Sequence, residues 1–266
     1  MDVEQYKLRH LIWESSYILI LDLYIMTILC SIKFKQICRY NTKKQHWKSG
    51  ERINMKYTGM PMGMWLIFNK SFQKNLTEVL KFDTKESRII TAAAKKKYKE
   101  LIDKLPEFEK KDRFKMNIVS CAMMSAFLLS MPELLEVEAA TEYYKQSMMT
   151  GFMQWFCRTG GKKKFLESDI EAKKEIAKFR AGDRNPYSWN MEFYEYEDGS
   201  GYEARFTTCG ICTLMNELGL TKLIPAMCRL DYTMSEADCV SNFAREYTIA
   251  SDGPYCDCGY TKRSAK

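Results

Sequence analysis

The hydrophobic spacing of this chain changes once, near residue 187, and that change sets its fold class. Upstream, apolar residues recur at helical intervals. Over residues 84–105, Ile89, Ile90, Ala93, Tyr98, Leu101, Ile102 and Leu105 fall near one helix face, with Lys95, Lys96 and Lys97 turned outward. Glu86 in the first turn suits the helix dipole, and Pro106 ends the segment. A shorter amphipathic helix is expected over residues 65–82, after an irregular connector over residues 40–64 that is polar at first and rich in Met and Gly at 60–64. Residues 112–131 are apolar almost all round, which places that helix at the centre of a bundle. Pro132 starts a helix that runs to about residue 158 and stops at Gly160 and Gly161. Ser168 and Glu171 have capping-box spacing for one more, ending near Arg180.

Downstream the period becomes two. Residues 187–197 alternate in part, Asp198-Gly199-Ser200-Gly201 is a turn, and residues 202–208 supply a partner strand. Two helices follow, at residues 212–218 and 222–237. A second hairpin is formed by residues 242–250 and 255–262 around Ser251-Asp252-Gly253-Pro254. The expectation is an α+β fold: an N-terminal helical bundle, then a four-stranded, mostly antiparallel sheet with two inserted helices on one face. The chain divides into an N-terminal extension over 1–64, a helical body over 65–182 and a cysteine-rich α+β unit over 183–266 packed on that body.

Charge and apolar runs narrow the partners. Net charge is +7, but residues 201–266 balance at −1 and the first 200 residues carry +8. The basic clusters at residues 43–44, 95–97, 110–111 and 162–164 are short, lie near acidic residues and lack aromatic platforms. They read as solvated faces, so no nucleic-acid partner is expected. Residues 17–32 are apolar except for Asp22 and two mild polar breaks, shorter than a spanning helix and interrupted by a charge. A buried helix and a cytoplasmic protein are expected, with a membrane anchor through 17–32 as the alternative. Cys30, Cys121 and Cys157 lie in apolar surroundings, as free thiols do in a reducing compartment.

The chemistry concentrates in residues 202–262, which hold six of the ten cysteines. Cys209 and Cys212 form a C-x-x-C pair where a strand gives way to a helix, a position that can lower a thiol pKa. Cys228 and Asp231 are neighbours at i and i+3 on one helix face. Cys256, Asp257 and Cys258 close the set, with Cys239 outside these groupings. No cofactor is expected. A zinc site on Cys209, Cys212, Cys228 and Cys256 is the alternative, though a second C-x-x-C that would make the pattern specific is missing. His10 and His46 are the only histidines and lie far upstream, so a Cys–His dyad is disfavoured. Carboxylates then become the acid–base candidates, Asp231 and Asp257.

The ordered set Cys209, Cys212, Glu217-Leu218-Gly219, Pro225, Cys228, Asp231, Glu236, Cys256 and Asp257 resembles the L-2-amino-thiazoline-4-carboxylic acid hydrolase family. That family's pattern is a C-x-x-C, an E-L-G helix end, a P-x-x-C-x-x-D-x-x-x-x-E helix and a hairpin ending in C-D-F. Cys258 stands where the aromatic is usual. The resemblance implies hydrolytic opening of a small cyclic thioimidate-like substrate, giving N-carbamoyl-cysteine from the aminothiazoline acid. The expected catalytic residues are Cys209, Cys228, Asp231, Cys256 and Asp257, with Cys228 or Cys209 as nucleophile or its partner. Arg205 and Arg229 are the candidates for holding the substrate carboxylate.

Overall fold

The computed structural model describes residues 57–109, 112–181 and 185–264; the apolar run at 17–32 lies outside them. The chain divides into two units, Met1–Gly63 and Met64–Lys266. Among the described residues no helix is long and apolar enough to cross a membrane.

Six helices precede the sheet: α1 (Met60–Glu78), α2 (Thr84–Lys104), α3 (Lys115–Leu128), α4 (Val137–Met148), α5 (Gly151–Gly161) and α6 (Glu167–Arg180). Residues 60–64, expected as an irregular connector, are helical. The α2 start at Thr84, as the spacing predicts, is fixed by a capping box on Asp83. The Asp83 carboxylate accepts from the Glu86 amide at 2.7 Å, and the Glu86 side chain accepts from the Asp83 amide at 3.0 Å. The segment from Pro132 is not one helix. Residues 132–136 stay outside it, and the chain breaks again at Met149 and Thr150. There the Thr150 hydroxyl accepts from the Met153 amide and starts α5. Nor does Ser168 cap α6, whose N-cap is Leu166 with no side-chain bond. Glu171 instead pairs with Lys174, which also reaches Glu195 at 2.6 Å and ties α6 to the sheet.

All residues of α3 from Ile118 to Leu128 are buried, which makes it the centre of the helical body. Trp65 of α1 stacks on Phe127, Phe72 packs tilted against the same ring, and Tyr143 of α4 meets Phe72 edge to face.

The sheet contains β1 (Met191–Glu195), β2 (Gly201–Phe206), β3 (Ser241–Ala244) and β4 (Cys256–Lys262), all antiparallel, in the order β1-β2-β4-β3. Gly199 supplies the positive φ of the first turn. Three helices separate β2 from β3: α7 (Gly210–Glu217), α8 (Ile224–Cys228) and α9 (Leu230–Asp238). The single helix expected over 222–237 is thus divided at Arg229. Register assigns the two sheet faces. Met191, Ala204 and Cys258 share the covered face and are buried with Phe114 and Ile176. Arg205 and Asp257 are paired across β2 and β4 on the opposite face.

Candidate active site

Cys209 is the N-cap of α7, in extended backbone (φ −138°, ψ 113°), directly after β2. The loop before β1 is fitted against this helix start. Tyr187 donates to Glu217 at 2.6 Å and the Asn190 amide donates to the Thr208 hydroxyl at 2.8 Å. Gly210 lets the two backbones touch: a Cβ there would lie 2.1 Å from the Tyr187 carbonyl oxygen. Gly210→Ala is therefore expected to destabilise the fold by about 1–3 kcal/mol. Chemical denaturation measures that loss, and an unchanged midpoint would contradict the close approach.

The same fit brings donors onto the Cys209 sulfur. The Cys209 thiolate is favoured first by the Cys212 side chain and then by the Cys212 and Ile211 amides and the Trp189 indole. The Cys212 bond contributes most. Together these donors outweigh burial and bring the Cys209 pKa down to about 7. The Cys212 thiol is pushed up, first by its bond to the Cys209 sulfur and then by burial, and it stays protonated.

Other thiols gather around the pair but remain neutral. Burial pushes Cys228 up to about 12, with Cys209, Asp231 and Cys256 raising it and Arg245 opposing them. Cys256 is raised by burial as well, and its sulfur accepts the Ile249 amide at 3.3 Å. Cys121, from the middle of α3, feels both Cys209 and Cys228. Among five neighbouring cysteines, only Cys209 has a lowered pKa.

Asp231 opens α9 and faces Arg245, which follows β3. The Arg245 guanidinium donates to the Asp231 carboxylate at 2.5 Å, to the Cys258 sulfur at 2.9 Å and to the Cys228 carbonyl at 3.2 Å. Its side chain is only 6% exposed, while that of Asp231 is 41% exposed. Burial raises the Asp231 pKa and Arg245 draws it back, leaving it above the ordinary value. The open side of the carboxylate lets solvent temper that rise. Burial likewise pushes Cys258 up to about 12 against the pull of Arg245. At this position a sulfur accepts the Arg245 bond where the family pattern has an aromatic.

The candidate residues thus separate into groups. Cys209, Cys212, Cys228 and Cys256, the last on the covered face of the sheet, act on one another, and Asp231 acts on Cys228 and Cys256. Asp257 is on the other face, where its carboxylate accepts the Glu246 and Tyr247 amides at 2.8 and 2.6 Å and shapes the loop after β3. Arg205 shares that face, bonded to Glu203 and set between the rings of Tyr194 and Tyr255. Arg229 is half exposed at the α8–α9 junction, 3.9 Å from Glu138. Among the described residues no group of three or more His, Cys, Asp or Glu side chains is arranged to hold a metal ion. The zinc set of Cys209, Cys212, Cys228 and Cys256 is therefore not assembled as one.

Sequence reasoning passed over Arg245 and Trp189. Arg245 carried one signal, a lone cation between two cysteine groups. Trp189 carried none, because it lies twenty residues from the sulfur that it serves.

Comparison with curated proteins and with solved structures finds no match. The model of the L-2-amino-thiazoline-4-carboxylic acid hydrolase family matches residues 116–260. That span is just over half of the 266 residues and runs from the start of α3 to Tyr260 of β4. The chain belongs to the L-2-amino-thiazoline-4-carboxylic acid hydrolase family.

Proposed function

We propose that this protein opens a small cyclic thioimidate of the aminothiazoline-carboxylate type by covalent catalysis, with Cys209 as nucleophile and Asp231 as acid and base. The observation that carries the reading is the contrast between Cys209, brought down to about 7, and the neighbouring thiols, all raised. A thiolate is the attacking form, and among the described cysteines Cys209 alone has its pKa lowered toward neutral pH.

The steps balance as follows. The Cys209 thiolate adds to the ring carbon between nitrogen and sulfur. The bond from that carbon to the ring sulfur then breaks, and Asp231, whose raised pKa helps it keep a proton, protonates the departing sulfur. Water, relieved of a proton by the Asp231 carboxylate, adds to the same carbon. The carbon–oxygen double bond forms as the Cys209 thiolate leaves, so the net change is uptake of one water. Arg245 keeps Asp231 oriented and its charge partnered. Arg229, half exposed and loosely paired, is the cation that reaches a substrate carboxylate.

Ring opening releases a thiol, which a chromogenic thiol reagent follows directly. Purified protein is expected to liberate one thiol per L-2-amino-thiazoline-4-carboxylic acid consumed, with N-carbamoyl-cysteine as the other readout by chromatography. Absence of turnover with this acid and its close ring analogues would sink the reading.

A further inference from the structure

We infer that Cys209 and Cys212 are a redox-active dithiol that exchanges reversibly with small disulfides. The hydrolytic steps assign Cys212 only a hydrogen bond, yet its placement suits more. It follows the N-cap by three residues, so its Cα lies one helical turn from that of Cys209. This separation is roughly 5–6 Å, inside the range a disulfide spans without backbone movement. Each of the two side chains is the largest influence on the ionisation of the other. Their exposure differs in a useful way, with Cys209 partly open and Cys212 buried.

The neighbouring thiols are otherwise engaged. Cys256 holds the Ile249 amide and Cys258 holds Arg245, while Cys239 is exposed at the far end of α9.

The exchange needs a low-molecular-weight disulfide as oxidant. The Cys209 thiolate attacks one sulfur of that disulfide and releases the other as a thiolate, leaving a mixed disulfide on Cys209. Cys212 then gives up its proton and attacks the Cys209 sulfur, and the second small thiolate leaves. One disulfide is reduced to two thiols and one protein dithiol is oxidised. The lowered Cys209 pKa favours the first attack, and the donors on its sulfur stabilise the reduced form. The couple itself is independent of the hydrolase reading. Its consequence for turnover rests on that reading, because the disulfide consumes the proposed nucleophile.

Full-length protein equilibrated in glutathione buffers of stepped oxidation, then alkylated and peptide-mapped by mass spectrometry, tests the couple. The expected result is a Cys209–Cys212 peptide lighter by two hydrogens, appearing at a single midpoint and lost again on reduction. Cys212→Ser is expected to trap glutathione on Cys209, and Cys209→Ser to leave Cys212 unmodified. Cys212→Ala, with circular dichroism on every variant, guards against a result due to misfolding. A stable glutathione adduct on Cys209 in the unaltered protein would overturn the proposal. So would a first disulfide between any other pair, or no oxidation at this pair. If the couple forms in a protein with no hydrolysis, the hydrolase reading fails and the redox inference stands. If hydrolysis is present but the couple is not, the reverse holds.

Discussion

Cys209→Ala is expected to lower turnover of the aminothiazoline acid by about 10²–10⁴-fold while leaving the protein folded. The side chain is small and the start of α7 is fixed by the backbone fit at Gly210, so its loss removes chemistry rather than structure. Cys228→Ala removes a thiol that is neutral to about pH 12 and is expected to cost far less. The pH dependence follows from the same ionisation. The thiolate is the reactive form and its pKa is about 7, so alkylation of Cys209 by iodoacetamide accelerates as pH climbs through about 7 and levels off above it. Cys212→Ala is expected to shift that curve to higher pH, because the side chain that most favours the Cys209 thiolate is gone. A variant series in which Cys228→Ala abolishes turnover and Cys209→Ala retains it would reassign the nucleophile.

The second large effect concerns the scaffold behind the site. Arg180, at the end of α6, donates to the Asp112 carboxylate at 2.7 Å, and the Ser188 hydroxyl donates to the same oxygen at 2.8 Å. The ion pair is buried, with side chains 3% and 1% exposed. It joins the entry to α3, the exit of α6 and the loop that delivers Trp189 to Cys209. Arg180→Met leaves a buried carboxylate without its cation and is expected to destabilise the protein by about 3–5 kcal/mol. Urea denaturation measures this. Adding Asp112→Leu is expected to recover much of the loss, since replacing both partners removes the unpaired charge as well. Equal stability of the Arg180→Met single variant and the parent would show that water or another group satisfies Asp112.

The two predictions meet at Trp189. Loosening the buried ion pair frees the loop that carries its indole N–H. Arg180→Met is therefore also expected to raise the Cys209 pKa. Iodoacetamide kinetics under conditions where the variant remains folded provide the readout.

Periodicity made the helical body and the two hairpins legible, because a helix face and a strand face repeat at different intervals. It was weaker at interruptions. The break at Thr150 depends on a hydroxyl reaching an amide, and the division at Arg229 on backbone angles within a continuous apolar pattern. Neither alters hydrophobic spacing enough to be seen. Residues 60–64 were misread for the opposite reason: Met-Pro-Met-Gly-Met suggests a loop, yet the start of a helix tolerates both Pro and Gly.

By itself the sequence determined the α+β class, the central position of α3 and the concentration of thiols and Asp231 in the last third of the chain. Those follow from local spacing and residue type. Tertiary structure decided which of these groups share an environment. Strand register sent Cys256 and Cys258 to the covered face and Asp257, one residue between them, to the other. Folding also brought Trp189 to Cys209 and Arg245 to Asp231. A side chain's pKa is set by the donors and charges within a few ångströms, and here Trp189 for Cys209 and Arg245 for Asp231 come from distant parts of the chain.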